Sequence, residues 1–546
     1  MMNIFDFFDA AESEPGVLAA RAPRRPQPEF DLLLIPRVPD WKQDSRVLAA
    51  LNHVQREPWA AEVRVARNFV RLRLDDRWID SAGAALESGH DDDTDLGDLA
   101  AGQSFALQFW DANATKALHA GHLRNLAIGN GLAAGLMQAG ANVERRSLIN
   151  DAGRAMGEAM AGMLRFRAGR GGHPPLKSDH LVGRCYADYV ATNAQSGEGA
   201  DSMARELTVH RDKADELVGQ MLRGDPQAAA LRRSTCELVL SGQRQTLRRL
   251  GITFDRIFFE FDYLSAAARL TERGLREGTL TYRNDGTVVY GTRRRDYAEL
   301  PIARSDGLPT EHMRFIAYWM TEAATLRRVR SVQVAGVEWA TPTICRRQLM
   351  ETWSRPGATA VHPLAGVFHG LVSIDGSALG SSKGSAPLID DLLTWLDTQI
   401  DEDWQGGMLR RTHPAPDRIA AQTALAYFLS QPSTPPLDFD PTRLLNHTES
   451  LGWALSLAQA RAAQGDAGSN ADELDYRYAV VQSQLHRRHL RLLVQRLEVV
   501  SLARHLLRLA HWYLERNRSD RVSRVVRSVL DRGARGLGLM QAPAVS

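Results

Sequence analysis

The spacing of apolar residues changes several times along this chain, and each change marks a region. Residues 69–74 alternate polar and apolar with the period of a half-buried strand, and 45–55 repeat apolar residues at helical spacing. Together they predict a small N-terminal α/β module. From 104 to about 395, short apolar runs alternate with helical stretches. The runs at 105–110, 144–149, 331–335 and 367–373 read as strands of a doubly wound parallel sheet. A charged, largely helical insertion spans about 160–250, and beyond about 415 the pattern stays helical to the end. The expected layout is a leader over 1–30, ending in a Pro/Arg-rich stretch at 21–28. An N-terminal domain with an acidic linker (31–100), a Rossmann-type α/β catalytic domain (101–410) and an all-α C-terminal bundle (411–546) follow.

The run at 105–110 leads into a short polar loop carrying Asn113 and Lys116. His119-Ala120-Gly121-His122 then opens a helical pattern running to about Met137. A strand, a loop and a helix start form a natural anion site, because free backbone N–H groups and the helix dipole both favour phosphate. Gly121 lets a ligand approach the backbone closely. Taken alone, two histidines three apart share one helix face. That pattern also suits a metal half-site or two surface imidazoles. Lys116 and the loop around it point instead to positive charge held over a nucleotide triphosphate.

Composition narrows the class. At roughly 100–200 residues per domain, 546 residues suggest about three domains. The chain has no apolar run of the ~20 residues that a membrane span needs. Its acidic start lacks the basic and apolar segments of a signal peptide. Cys185, Cys236 and Cys345 are too far apart for a metal-ligand pattern or a disulfide framework, and no protein metal site is expected. A cytoplasmic enzyme, monomeric and without membrane contact, is the expectation. The net charge of +2 excludes a chain that binds nucleic acid by overall charge. Residues 481–536, however, carry thirteen Arg against four Asp and Glu. That surplus fits either a nucleic-acid surface or a solvated helical face. Of 67 basic residues only five are lysine, and two of them, Lys116 and Lys383, stand in loops that look like phosphate sites. There a compact ammonium follows a moving phosphate better than a planar guanidinium.

These stretches resemble one family. Asn113-Ala-Thr-Lys116-Ala-Leu-His119-Ala-Gly-His122 is similar to the N-P-T-x-P-L-H-x-G-H motif of the arginyl-tRNA synthetases, a class I aminoacyl-tRNA synthetase family. Leu148-Ile-Asn150-Asp151-Ala-Gly153-Arg154 resembles the strand end that follows it. Gly251 to Asp255 and Arg304 to Thr310 also match. Gly376-Ser-Ala-Leu-Gly380-Ser381-Ser382-Lys383-Gly384 sits where the family's mobile K-M-S-K-S loop belongs. The resemblance implies ATP, with Mg2+, as cosubstrate and acyl-adenylate formation followed by acyl transfer, with no covalent enzyme intermediate. It implies that His119, His122, Lys116 and Lys383 act on the phosphates. It also implies that Gly121, Gly370, Leu371, Val372, Ser381 and Ser382 contact ATP. Ala378 takes the place of the loop's first lysine, and Lys116 stands where some members carry a substitute.

The resemblance places the amino acid among Gln108, Asn113, Asn150, Asp151, Glu311, Phe315, Tyr318 and Glu338. Gln108 replaces the family's glutamate, Glu311 its tyrosine, Phe315 its aspartate and Glu338 its glutamine, while Asn113 matches. A buried guanidinium needs a carboxylate partner, which Phe315 does not supply. The connection between Tyr513 and Arg524 is about a dozen residues shorter than the family's. The expectation is therefore a paralogue that activates an amino acid or related carboxylate and passes it to an acceptor other than tRNA, in specialised metabolism. The alternative is a divergent arginine–tRNA ligase. A non-catalytic regulator is the third reading.

Overall fold

The N-terminal alternation becomes a four-stranded antiparallel sheet flanked by two helices. The elements are β1 (Leu18–Arg21), β2 (Leu32–Pro36), α1 (Ser45–Arg56), β3 (Ala60–Val65), β4 (Val70–Leu74) and α2 (Asp76–Glu87), with strand order β1-β2-β4-β3. In β4, Val70, Leu72 and Leu74 are buried and the two arginines between them are not. Asp44 and Asp75 cap the two helices by accepting from first-turn backbone N–H groups. The computed structural model describes residues 18–540 except 89–95, 170–175, 194–211, 293, 324, 327, 354–363, 375–376, 379–386, 404–406, 408, 412, 414–415, 465–472 and 516–518. Two expectations need correction here. Part of the expected leader is an ordered edge strand, since Leu18–Arg21 pairs with β2 and buries Ala20. Helix α2 also carries regular structure into the start of the expected linker.

The central unit is a five-stranded parallel sheet. Its strands are β5 (Ser104–Gln108), β6 (Asn142–Ile149), β7 (Arg256–Phe259), β11 (Arg330–Gly336) and β12 (Ala365–His369). Between β7 and β11 lies a small antiparallel sheet of β8 (Thr281–Tyr282), β9 (Val288–Gly291) and β10 (Glu299–Ala303). The parallel order is β12-β11-β5-β6-β7. The chain thus leaves β5 towards β6 on one side and returns to β11 on the other. Ligands bind such sheets at this switch point, beyond the carboxyl ends of the strands. Helix α3 (Ala120–Gln138) connects β5 to β6. Helices α4 (Arg154–Arg167), α5 (Ser178–Asn193), α6 (Lys213–Leu222) and α7 (Pro226–Leu250) form the expected helical insertion. Helix α8 (Leu264–Arg276) follows β7, α9 (Glu311–Glu322) precedes β11, and α10 (Ala340–Trp353) connects β11 to β12.

The single strand expected over 367–373 is two. It breaks at Gly370 and Leu371, and Val372–Ile374 pairs instead with Leu437–Asp438. That pairing also places a short strand in the region expected to be wholly helical. The rest of that region is helical: α11 (Ile389–Glu402), α12 (Ile419–Ser430), α13 (Leu451–Gln464), α14 (Glu473–Arg496), α15 (Val500–Leu514) and α16 (Asp520–Gly536). Every residue of α12 is buried, as expected of a helix apolar all round. It packs against α3, which lies between the sheet and the bundle. Glycines in α3 make that approach possible. A Cβ on Gly129 would lie 2.1 Å from Phe109, and one on Gly135 would lie 2.5 Å from Leu493.

The arginine surplus at 481–536 has a use that neither reading of it anticipates. Arg487 pairs with Asp98 at 2.9 Å, Arg521 with Asp80 and Glu87 at 2.8 Å, and Arg524 with Glu87 at 3.0 Å. Arg488 donates to the carbonyl of Ala20 at 2.6 Å. Just outside that stretch, buried Arg477 donates to Asp31 at 2.6 Å and also pairs with Asp76. These cations fasten the N-terminal domain to the bundle.

A second clamp sets the edge of the cavity. Arg124 of α3 is fully buried and donates to the carbonyls of Gly370 (2.8 Å), Pro432 (2.7 Å) and Ser433 (3.1 Å). Gly370 lies so close to this loop that a Cβ would sit 2.1 Å from the Pro435 oxygen. Arg124→Ala strands these carbonyls and removes charge-assisted bonds, a loss of about 3 kcal/mol. The expected result is a lower urea midpoint together with weaker ATP binding. Unchanged values for both would show that the clamp does not position this edge.

Candidate active site

Five stretches of chain converge beyond the carboxyl ends of β5, β6, β11 and β12 and enclose a cavity of about 450 Å³. The start of α3 forms one wall. His119 is its N-cap, with extended backbone, and its Nδ1 accepts from the N–H of Gly121 at 3.2 Å. His122 Nδ1 accepts from the backbone N–H of His119 at 3.1 Å. The two rings lie 3.8 Å apart. Because both Nδ1 atoms accept, both imidazoles carry their proton on Nε2. Burial, reinforced by neighbouring Lys116, holds His119 down at about 3, and burial likewise holds His122 well below its ordinary value. Both rings are therefore neutral N–H donors at pH 7. Gly121 gives the His119 ring room, since a Cβ there would meet it at 3.0 Å.

Lys116, half-buried on the same wall, is the cation at this end of the cavity. The protein packed around it lowers its ammonium to about 8. The histidine segment is also tied to the far side of the expected mobile loop. Ala120 N–H donates to the Pro387 carbonyl and Ile389 N–H to the Leu118 carbonyl, both at 3.0 Å. Lys383, Ser381 and Ser382 lie outside the described residues, as does the side chain of Ala378. On the β12 side, buried His369 and Val372 and exposed Leu371 line the cavity, with Gly370 behind them in the Arg124 clamp. His369 Nε2 lies 3.2 Å from Asn125 Oδ1, which holds the ring in place.

Gln108, Asn113, Asn150, Glu311, Phe315 and Glu338 all line the same cavity. Two other residues expected there do not. Asp151 is buried against Arg232 and accepts from the Phe261 N–H at 2.9 Å, so its carboxylate holds α7 to the loop after β7. Tyr318 is buried behind the wall, its ring 5.3 Å from Tyr263 and its hydroxyl 3.5 Å from Arg146. Sequence reasoning missed Asp111, Gln333, Trp339 and Arg346. Asp111 faces the cavity and accepts from Gln108 Nε2 at 2.9 Å and Gln333 Nε2 at 3.4 Å. The surrounding protein pushes its carboxyl above the ordinary range. Its position three residues after Gln108, at the strand end, was the available signal.

Among the described residues, Asp179, His180 and Asp390 have metal-ligand spacing, but they lie off the cavity. The Lys177 ammonium already sits 2.6 Å from Asp390 and 3.3 Å from Asp179. Among the described residues, no helix is long and apolar enough to cross a membrane.

Known proteins are similar to this chain in sequence and in fold. A family model described as "tRNA synthetases class I (R), catalytic domain" matches residues 97–310. An arginine–tRNA ligase of Treponema pallidum is 27% identical over 367 residues, covering 66% of this chain and 60% of that protein. One from Amoebophilus asiaticus is 25% identical over 446 residues, covering 78% and 71%. The chain thus aligns with well short of the full length of these relatives. In fold it is similar throughout to Thermus thermophilus arginyl-tRNA synthetase, with TM-score 0.67, 17% identity and all of both chains covered. It is also similar to the Plasmodium falciparum enzyme, with TM-score 0.66, 13% identity and 98% and 96% covered. These matches show a class I (R) tRNA synthetase catalytic domain over residues 97–310 and, for the chain as a whole, the fold of the arginyl-tRNA synthetases.

Proposed function

We propose that the protein is an ATP-dependent aminoacyl-tRNA ligase. In the first step a substrate carboxylate oxygen attacks the α-phosphorus of ATP, the bond to the β-phosphate breaks, and pyrophosphate leaves. In the second, a ribose hydroxyl at the tRNA end attacks the acyl carbon and AMP leaves. The observation that carries this reading is the capped start of α3. It presents two neutral Nε2–H donors and one lysine at the switch point of a parallel sheet.

The chemistry asks little more of the protein than charge stabilisation and alignment. His119 and His122 donate to phosphate oxygens from rings whose orientation is already set. Lys116 neutralises charge that builds on the leaving pyrophosphate. Mg2+ enters with the nucleotide. Leu371, Val372 and His369 flank the place for adenine, and Asp111 is an acceptor for the substrate α-ammonium. The relatives that match by sequence are described as arginine–tRNA ligases. They favour tRNA as acceptor over the small-molecule acceptor expected from the altered pocket and the shortened helical connection.

Amino-acid-dependent AMP release in the presence of total tRNA, with acyl-tRNA as product, is the expected outcome. ATP left unconsumed with every amino acid would overturn the reading, and acyl transfer only to small amines would overturn the acceptor. Lys116→Met is expected to slow adenylate formation by about 10²–10³. The pH dependence carries a sign. Triphosphate binds the protonated lysine, whose ammonium loses its proton near pH 8 in the free protein. ATP affinity should therefore fall as pH rises past about 8 in the native chain and stay flat in Lys116→Met. Parallel profiles would exclude Lys116 from the phosphate site.

A further inference from the structure

The amino-acid wall contains a cation of its own. Arg346, on α10, is 3% exposed and lines the cavity. Its guanidinium stacks on Phe315 at 4.4 Å and on Trp339 at 4.9 Å. Nε (3.1 Å) and Nη2 (2.6 Å) both donate to His312 Nδ1. Burial, with Arg346 beside it, keeps His312 neutral and able to accept. No described carboxylate lies within ion-pair distance of Arg346, and Nη1 has no hydrogen-bond partner among the described residues. Buried charges are normally paired, so this one is prepared for a ligand.

The neighbouring carboxylates do not remove the need. Glu260 pairs with Arg314 at 2.5 Å and Glu158 with Arg154 at 3.0 Å. Asp111 and Glu311 act on Arg346 only through the field, opposing the burial that lowers its affinity for the proton. A guanidinium entering this wall would find the faces of Phe315 and Trp339 already covered by one of like charge. A carboxylate would find a fork with free N–H groups.

We propose that Arg346 is the specificity residue of this site and selects amino acids whose side chain ends in an anionic group, of the α-amino dicarboxylic class. The inference rests on the adenylation reading and names its substrate. Such a substrate offers one carboxylate to ATP, its α-ammonium to Asp111 and its second carboxylate to Arg346 Nη1. His312 and the two aromatic rings hold the guanidinium for it.

Calorimetric binding of non-hydrolysable sulfamoyl-adenosine analogues to the full chain tests the pocket apart from turnover. The glutamyl or aspartyl analogue is expected to bind about 10²-fold tighter than the arginyl one. Arg346→Met should abolish that preference and Arg346→Lys should keep part of it. An unchanged circular dichroism spectrum and thermal midpoint in both variants check that they fold. An arginyl analogue that binds as well or better, or a preference unchanged in Arg346→Met, would overturn the inference and leave adenylation intact. If ATP and every analogue fail to bind the native chain, both readings fall.

Discussion

On the proposed function, the start of α3 serves phosphate and must still be packed into protein. Its first N–H groups have no partners within the helix, and charged groups there would be costly to bury. Two neutral imidazoles meet both demands. Their Nδ1 atoms accept backbone N–H groups inside the turn, and their Nε2–H groups remain as donors for a ligand. The rest of the site depends on this. Gly121 has no side chain because the His119 ring occupies that space. Pro387 and Leu118 accept the neighbouring N–H groups. Among the described residues, Lys116 supplies the charge that the histidines do not.

Packing around that helix explains why distant segments meet at one cavity. Glycines in α3 admit Phe109 on one side and Leu493 on the other, so sheet and bundle approach the same helix closely. Arg124, one turn into α3, reaches across to Gly370 and the loop at 432–435. The nucleotide wall is thereby built from stretches about 250 and 310 residues further along the chain. A buried cation held only by carbonyls suits a rigid edge, because it fixes backbone rather than another mobile side chain.

Much of this was legible in the sequence, for physical reasons. Strand β5 is buried on both faces, and the run at 105–110 is apolar apart from Gln108. The phosphate end depends on local order along the chain, so strand, loop, Lys116 and the paired histidines appear in sequence as they do in space. The amino-acid end was less legible because it depends on which way helical side chains point. Arg346 and Arg347 are adjacent and alike, yet one is buried in the pocket and the other pairs with Glu351 on the surface. Asp151 fits a motif but serves packing against Arg232. Leu18–Arg21 was too short and too small-sided to show strand periodicity. The arginines of the bundle fitted either a nucleic-acid surface or a solvated helical face, although several are tied to carboxylates of the N-terminal domain.

Among the described residues that line the cavity, Lys116 stands at the proposed phosphate end and Arg346 at the proposed side-chain end, with neutral histidines fixing the geometry. Nitrogen NMR of selectively labelled His119 and His122, with and without ATP, reports on that arrangement directly. Both rings should be neutral Nε2–H tautomers at pH 7, with no titration near 6.5, and their Nε2 signals should shift when ATP binds. A ring that titrates with an ordinary histidine pKa, or signals that ignore ATP, would contradict the account.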